Sequence, residues 1–270
     1  MNGLKPYLNG PVTAPDISLH NPSTWSDGAA SPREMCRAAR AAGVTVFGLS
    51  DHYADHPAPE CRPVSWSLDL TRLDAYAEEL VKLKEEVNDG HFTLLAGLEV
   101  DSFSENIRDV LARLAGYPLD YLIGSVHYVG SFSVDHSPEP WRGLTAGEID
   151  RLCLRYWEKV REAAACPAFA FLGHLDLPKK FGFIPDCRKY LPDAVEALDI
   201  AAANGVAIEL NTAGWFKPCG EAYPSPAILR EAGKRKIPVV ISSDAHSPEH
   251  ITRGFREAEL LLDQAGVSGR

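Results

Sequence analysis

Positive charge is scarce in this 270-residue chain. Lys and Arg number 27 against 37 Asp and Glu, a net charge of −10. A nucleic-acid partner would need a basic footprint, so the balance argues against one. An anionic substrate stays open, because cations bound inside one cleft can reverse its local sign. Long apolar runs are missing too. None reaches the roughly 18 residues of a membrane span, and the opening MNGLKPYLNGPVTAPD has no signal-peptide core, so no membrane partner is expected. The six cysteines, at 36, 61, 153, 166, 187 and 219, form no C-x-x-C pair. That disfavours a disulfide framework or thiolate zinc site and makes the cytoplasm the expected compartment. There is no internal repeat, low-complexity tract or long linker. A G-x-G-x-x-G turn, the mark of many open doubly wound sheets, is absent.

What the chain does have is one recurring unit: a short apolar run, a polar tip, then an amphipathic helix. The runs are DISLH (16–20), VTVFGLSDH (44–52), FTLLAGLEV (92–100), YLIGSVH (121–127), FAFLGHLD (169–176), VAIELNT (206–212) and PVVISSDAH (238–246). Each is apolar on both faces, as a buried parallel strand requires. Helix signals fall between them. Ser31, Pro32 and Glu34 read as N-cap, N1 and N3, with Gly43 as a stop, and Thr145 and Glu148 form a capping box. Leu70, Leu73, Leu80, Leu83 and Val87 recur at helical spacing. Ser-Pro pairs open SPAILREAG and SPEHITRGFREAELLL, and PDAVEALDIAAANG fills another gap. Seven alternating units predict an α/β fold closed into a distorted seven-stranded (β/α)7 TIM-like barrel, one domain over residues 1–270. Long loops at 53–68 and 128–144 follow strands, where active-site walls stand.

His20, His52, Glu99, His127, His174, Asp244 and His246 stand at the strand tips, with Asp27 just beyond the first. A barrel brings all its tips to one face. His, Asp and Glu hold Zn²⁺, Mn²⁺ or Fe²⁺. Eight such residues are too many for one ion and enough for two or three if Glu99 bridges. His56, His136 and His250 read as plain surface histidines. Trp66 and Trp215 are candidates for pocket walls.

The segments LHNPSTWSDG, GLSDHY, AGLEVD, IGSVHYVG, GHLDL and SSDAHSPE resemble the successive motifs of the PHP (polymerase and histidinol phosphatase) superfamily. GSVHYV, GHLDLPKKFG and ELNTAGWFKPCGEAYPSPAIL are similar to its histidinol-phosphatase branch. The resemblance covers about residues 16 to 250. It implies the distorted barrel, usually with three metals. It implies a first metal on His20, Glu99 and Asp244, a second on Glu99, His127 and His174, and a third on Asp27, His52 and His246. The family pattern opens His-x-His, and here the second position is Pro22, leaving the first ion three protein ligands at most. The family also often has an arginine before the lysine of its K-P-x-G-E segment, where this chain has Phe216.

The activity implied is metal-dependent hydrolysis of a small phosphate monoester, L-histidinol phosphate to L-histidinol and phosphate in histidine biosynthesis. Metals suit this chemistry because they lower the pKa of bound water to about 7 and clamp phosphate oxygens. Glu99, Asp244, His246 and Asp176 are the expected catalytic residues. Lys179, Lys180 and Lys217 are candidates to hold phosphate, and Glu221 to meet a substrate amine. Asp51, Asp101 and Asp176 stand beside ligands and suit either the orientation of histidines or the role of general acid. A different small phosphorylated substrate and a metal-depleted, non-catalytic barrel are the alternatives.

Overall fold

Alternation within the apolar runs decides what each strand faces. In β3 (Thr93–Asp101) the side chains of Leu94, Ala96, Leu98 and Val100 share one face, and those of Leu95, Gly97 and Glu99 share the other. The first set joins the large core under the helices, while Leu95 joins a separate inner cluster with Leu19, Tyr121, Ile123, Phe171, Ala207 and Val240. A strand apolar on both faces needs cover on both sides. Helices supply it outside, and the barrel interior supplies it within.

The computed structural model describes Leu4, residues 16–184 and residues 186–267. The N-terminal stretch read above for a signal peptide lies outside these, apart from Leu4 and Asp16. The seven main strands are β1 (Ile17–Ser18), β2 (Val46–Tyr53), β3, β4 (Tyr121–Ser125), β7 (Phe171–Leu172), β8 (Ala207–Asn211) and β9 (Val239–Ser242). They pair in parallel in that order. The Ala245 amide donates to the His20 carbonyl at 3.3 Å and Ser18 Oγ donates to the Ile251 carbonyl at 3.4 Å, drawing the last strand's exit to the first strand. The result is the nearly closed, seven-stranded α/β barrel that the alternating pattern predicts. The loop at 128–144 folds into a small hairpin, β5 (Tyr128–Val129) with β6 (Phe132–Ser133), and a short helix at Glu139–Arg142.

Local signals place most helices. Both capping boxes form, on helices Pro32–Ala41 and Ala146–Ala164. The second Ser-Pro start fails as a helix origin. Pro248–His250 makes only a 3₁₀ turn, and the helix begins at Phe255, after Gly254 at φ +78°. A left-handed residue cannot lie within a right-handed helix, so the run divides there.

The strands are shorter than their apolar runs. His20, His127, His174 and Asp244 each lie two residues beyond a strand end. His174 (φ +20°) and Asp244 (φ +51°) have left-handed backbone, unusual for residues with a Cβ. Such strain persists where the surroundings dictate it, often at functional sites. Here it ends the ladder and turns both side chains inward.

Tyr121 fills the barrel below these tips, and its hydroxyl donates to the Leu19 carbonyl at 2.5 Å. Gly48 and Gly97 make room for its ring: a Cβ at Gly97 would stand 2.4 Å from the ring carbon bearing the hydroxyl. Gly97→Ala is therefore expected to destabilise the fold by about 1–3 kcal/mol through overpacking. Urea unfolding measures this, and an unchanged midpoint would mean the ring moves freely.

Candidate metal centre

β3 carries Glu99 into the barrel mouth, where it is 1 % exposed. Four imidazoles surround its carboxylate. His20 Nε2 and His52 Nδ1 lie 2.9 and 2.8 Å from Oε2, and His174 Nε2 and His127 Nε2 lie 2.9 and 3.4 Å from Oε1. Burial alone would raise the pKa of Glu99, but His20, His52 and His127 hold it well below the usual carboxylate range. Burial works against the His127 imidazolium as well, yet Asp101 and Glu99 hold it up at about 10. Against the same penalty Asp244 and Asp27 keep His246 at about 9.

The donor atoms fit a cation better than one another. His20 Nε2, His52 Nδ1, Glu99 Oε2, His174 Nδ1 and Asp244 Oδ1 are all buried without a hydrogen bond. Several stand at hydrogen-bond distance but not in hydrogen-bond geometry, as lone pairs do when they converge on a common centre. Each unsatisfied buried group costs about 1–3 kcal/mol, which a divalent ion would offset. Three triples of donor atoms lie within 4.8 Å of one another: His20, Glu99 and His174; His52, Glu99 and His127; and Asp27, His52 and His246. Asp244 Oδ1 stands 3.7 Å from His20 Nε2 and 3.4 Å from His246 Nδ1, between the first and third. The tips thus converge, and Glu99 belongs to two triples.

Outer contacts set which nitrogen of three histidines faces inward. Glu209 Oε1 takes His20 Nδ1 at 2.7 Å, Asp101 Oδ2 takes His127 Nδ1 at 3.0 Å, and the Asp244 carbonyl takes His246 Nδ1 at 3.0 Å. In each case Nε2 is left for the centre, the arrangement of carboxylate–histidine–metal sites. Glu209 also accepts from the His174 amide at 2.8 Å, from Asn211 Nδ2 at 3.0 Å and from Ser242 Oγ. Sequence reading passed over Glu209. Its signal was a lone carboxylate in the apolar run VAIELNT, at an inward position like that of Glu99.

The loop LHNPSTWSDG is built on Asp51. Its carboxylate accepts from the Ser23 and Ser26 amides at 2.8 and 3.0 Å and from both hydroxyls. Asp51 therefore touches no imidazole in hydrogen-bond contact; it braces the turn that presents Asp27 to His52 and His246, at 3.4 and 3.3 Å. Pro22 packs its backbone against Gly28, where a Cβ would come within 2.6 Å of the Pro22 carbonyl oxygen.

Above the centre opens a cleft of about 450 Å³, floored by Asp27, His52, His127, His174, Asp244 and His246. Trp66, from the 53–68 loop, walls one side, its ring centroid 4.8 Å from that of His52. Trp215 packs elsewhere, in a small cluster with Leu210 and Leu229. The reading of three surface histidines needs correction. It holds for His136, which is exposed at the cleft rim, and in part for half-buried His250, which also lines the cleft, but His56 is buried, bonded to the Gly130 carbonyl at 3.0 Å, tying one loop to the hairpin.

The expected substrate groups divide. Lys180 and Lys217 line the cleft, Lys180 paired with half-buried Asp135 at 3.0 Å. Lys179 is 3 % exposed, its Nζ held by Asp176, Glu221 and the Ala222 carbonyl at 2.9, 2.7 and 2.7 Å. Asp176 also accepts from the Ser225 amide at 2.9 Å. Lys179, Asp176 and Glu221 thus form a buttress behind the cleft wall.

A model of the PHP domain matches residues 17–213. A "Probable histidinol-phosphatase" of Deinococcus radiodurans is 37% identical over 255 residues, 94% of each chain. The "Histidinol-phosphatase" of Bacillus subtilis is 28% identical over 190 residues, 64% of this chain and 70% of its own. In structure the chain is similar to histidinol phosphate phosphatase from Lactococcus lactis, solved with zinc, L-histidinol and phosphate. The TM-score is 0.79, with 21% identity over 94% of both chains.

Removing the Glu209 charge tests the outer contacts. Glu209→Gln is expected to weaken metal binding by ~10–100-fold while unfolding stays cooperative. Metal titration of stripped protein measures it; equal affinity in variant and wild type would reduce Glu209 to packing.

Proposed function

The chain belongs to the PHP domain family, and on that premise we propose that it is a metal-dependent phosphatase hydrolysing L-histidinol phosphate to L-histidinol and phosphate. The observation that carries this is the buried, unsatisfied donor set around Glu99 beneath a cleft walled by cations. The relatives' names agree, as does the neighbour solved with zinc and both products. A cleft of about 450 Å³ is small enough to enclose a single amino-alcohol phosphate.

Two or three divalent ions, of the Zn, Mn or Fe kind, would be held by His20, Asp27, His52, Glu99, His127, His174, Asp244 and His246. Such ions activate water near neutral pH and neutralise a phosphate dianion. The protein's own contribution is placement. Glu99 serves two triples at once, so its carboxylate fixes their separation. Glu209 and Asp101 hold the imidazoles of His20 and His127 in the tautomer that aims Nε2 inward. His246, at the exposed end of the set, faces the cleft from which the leaving alkoxide departs. Lys180 and Lys217 meet the phosphate, and Lys179 with Asp176 keeps the 221–225 segment in register behind them. Trp66 offers an apolar face to the organic part of the substrate and shields the centre from water.

All six cysteines are unpaired, and among the described residues no helix is long and apolar enough to cross a membrane. Unpaired thiols fit the reducing cytoplasm as the setting of this reaction.

Purified protein is expected to release phosphate from L-histidinol phosphate in preference to other small phosphate esters. Chelation should abolish this and divalent metal restore it. The circular dichroism should not change, because the barrel core is apolar and folds without metal. Activity that persists after elemental analysis shows the metal gone would contradict a metal-dependent hydrolase.

A further inference from the structure

Phe216 is a large apolar side chain left 53 % exposed in the lining of the cleft. One contact accounts for it: the guanidinium carbon of Arg253 lies 4.0 Å from the centroid of its ring. The segment 212–216 grips the Arg253 turn at two further points. Thr212 Oγ1 donates to the Arg253 carbonyl at 2.5 Å. Gly254 lies so close that a Cβ there would meet Thr212 and Trp215 at 3.0 Å. The arginine is therefore pinned by backbone and ring together. Its own charge is unspent. Arg253 Nε is buried without a hydrogen bond, and among the described residues neither Arg253 nor Lys217 has a carboxylate in ion-pair contact. Both line the cleft above the metal-ligand cluster. Two unpaired cations facing one cavity are set for an anion from outside.

We propose that Arg253, held over the ring of Phe216, is a phosphate-binding residue of this site, acting beside Lys217, and that Phe216 is its positioning residue. This rests on the phosphatase reading for the identity of the substrate, but the anion site itself follows from the geometry. A guanidinium offers a planar fork that matches two phosphate oxygens, which an ammonium cannot reproduce. Contact with the ring restricts the guanidinium before the anion arrives, so less order is lost on binding. The aromatic side chain at 216 thus serves to display a cation carried by a different segment.

The test compares wild type with Arg253→Ala, Arg253→Lys and Phe216→Ala. Three quantities are measured on the same preparations: kinetics on L-histidinol phosphate, calorimetric binding of inorganic phosphate, and bound metal. Arg253→Ala is expected to raise KM and weaken phosphate binding by roughly 10- to 100-fold, with metal content unchanged. Arg253→Lys should fall between. Phe216→Ala, which keeps the charge but frees it, should lose roughly two- to fivefold. Arg253→Ala with KM and phosphate affinity within about twofold of wild type would overturn the proposal. So would loss of metal in that variant, which would make Arg253 a brace of the centre. If wild type releases no phosphate from L-histidinol phosphate, yet its phosphate binding still depends on Arg253, the proposal stands and the substrate reading falls.

Discussion

A single buried carboxylate organises this molecule. Glu99 is almost wholly removed from water, and an isolated charge there would be prohibitive unless opposite charge surrounded it. The barrel supplies that charge by register. β2 and β3 pair so that His52 stands beside Glu99. β3, β4 and β7 align so that His127 and His174, each two residues past a strand end, reach the other oxygen. His20 arrives from the far edge, where the first strand meets the exit of the last. A slip of one residue in β3 would turn Glu99 out among the helices and Leu98 into the centre. The same alternation that packs Leu94, Leu98 and Val100 outward thus delivers the ligand inward.

The apolar floor and the polar mouth are two levels of one interior. Below, Tyr121 and its neighbours fill the space that Gly48 and Gly97 leave open. Above, acids and imidazoles surround Glu99, and Trp66 walls the cleft over them. Among them the acids take two distances from the centre. Glu99, Asp27 and Asp244 point donor atoms into the clusters. Glu209 and Asp101 sit one imidazole further out and fix its tautomer. Asp51 lies further still, shaping the turn that carries Asp27. A net negative chain can therefore present a cation-rich cleft, because its carboxylates are consumed in holding cations.

The fold was legible because it is written in local terms. Seven two-faced apolar runs, capping boxes at Ser31 and Thr145 and glycine stops are short-range signals, and all act as local chemistry says they should. The convergence of the tips followed from the barrel alone. The division of the helix after Ser247 was not legible, because the left-handed Gly254 that makes it packs against Thr212 and Trp215, residues far away in sequence. The polar residues were harder for the same reason. Lys179 and Lys180 are adjacent and look alike, yet one is buried among three acceptors and the other lines the cleft. Arg253 gave no signal, since its partner Phe216 lies on another segment. Glu209 was detectable in principle: a carboxylate at an inward position of a buried strand must have a partner.

The most direct test of the central role of Glu99 is the metal stoichiometry of Glu99→Gln beside wild type, by elemental analysis after gel filtration, with anomalous scattering to locate the ions. The amide is nearly isosteric but neutral, so packing is kept while the shared charge is removed. Wild type should carry two or three ions. In the variant both triples that share Glu99 should empty, leaving at most the ion at Asp27, His52 and His246, with turnover lost. A variant that retains the wild-type number of ions at the same positions, and still turns over, would show that the centre does not depend on this carboxylate.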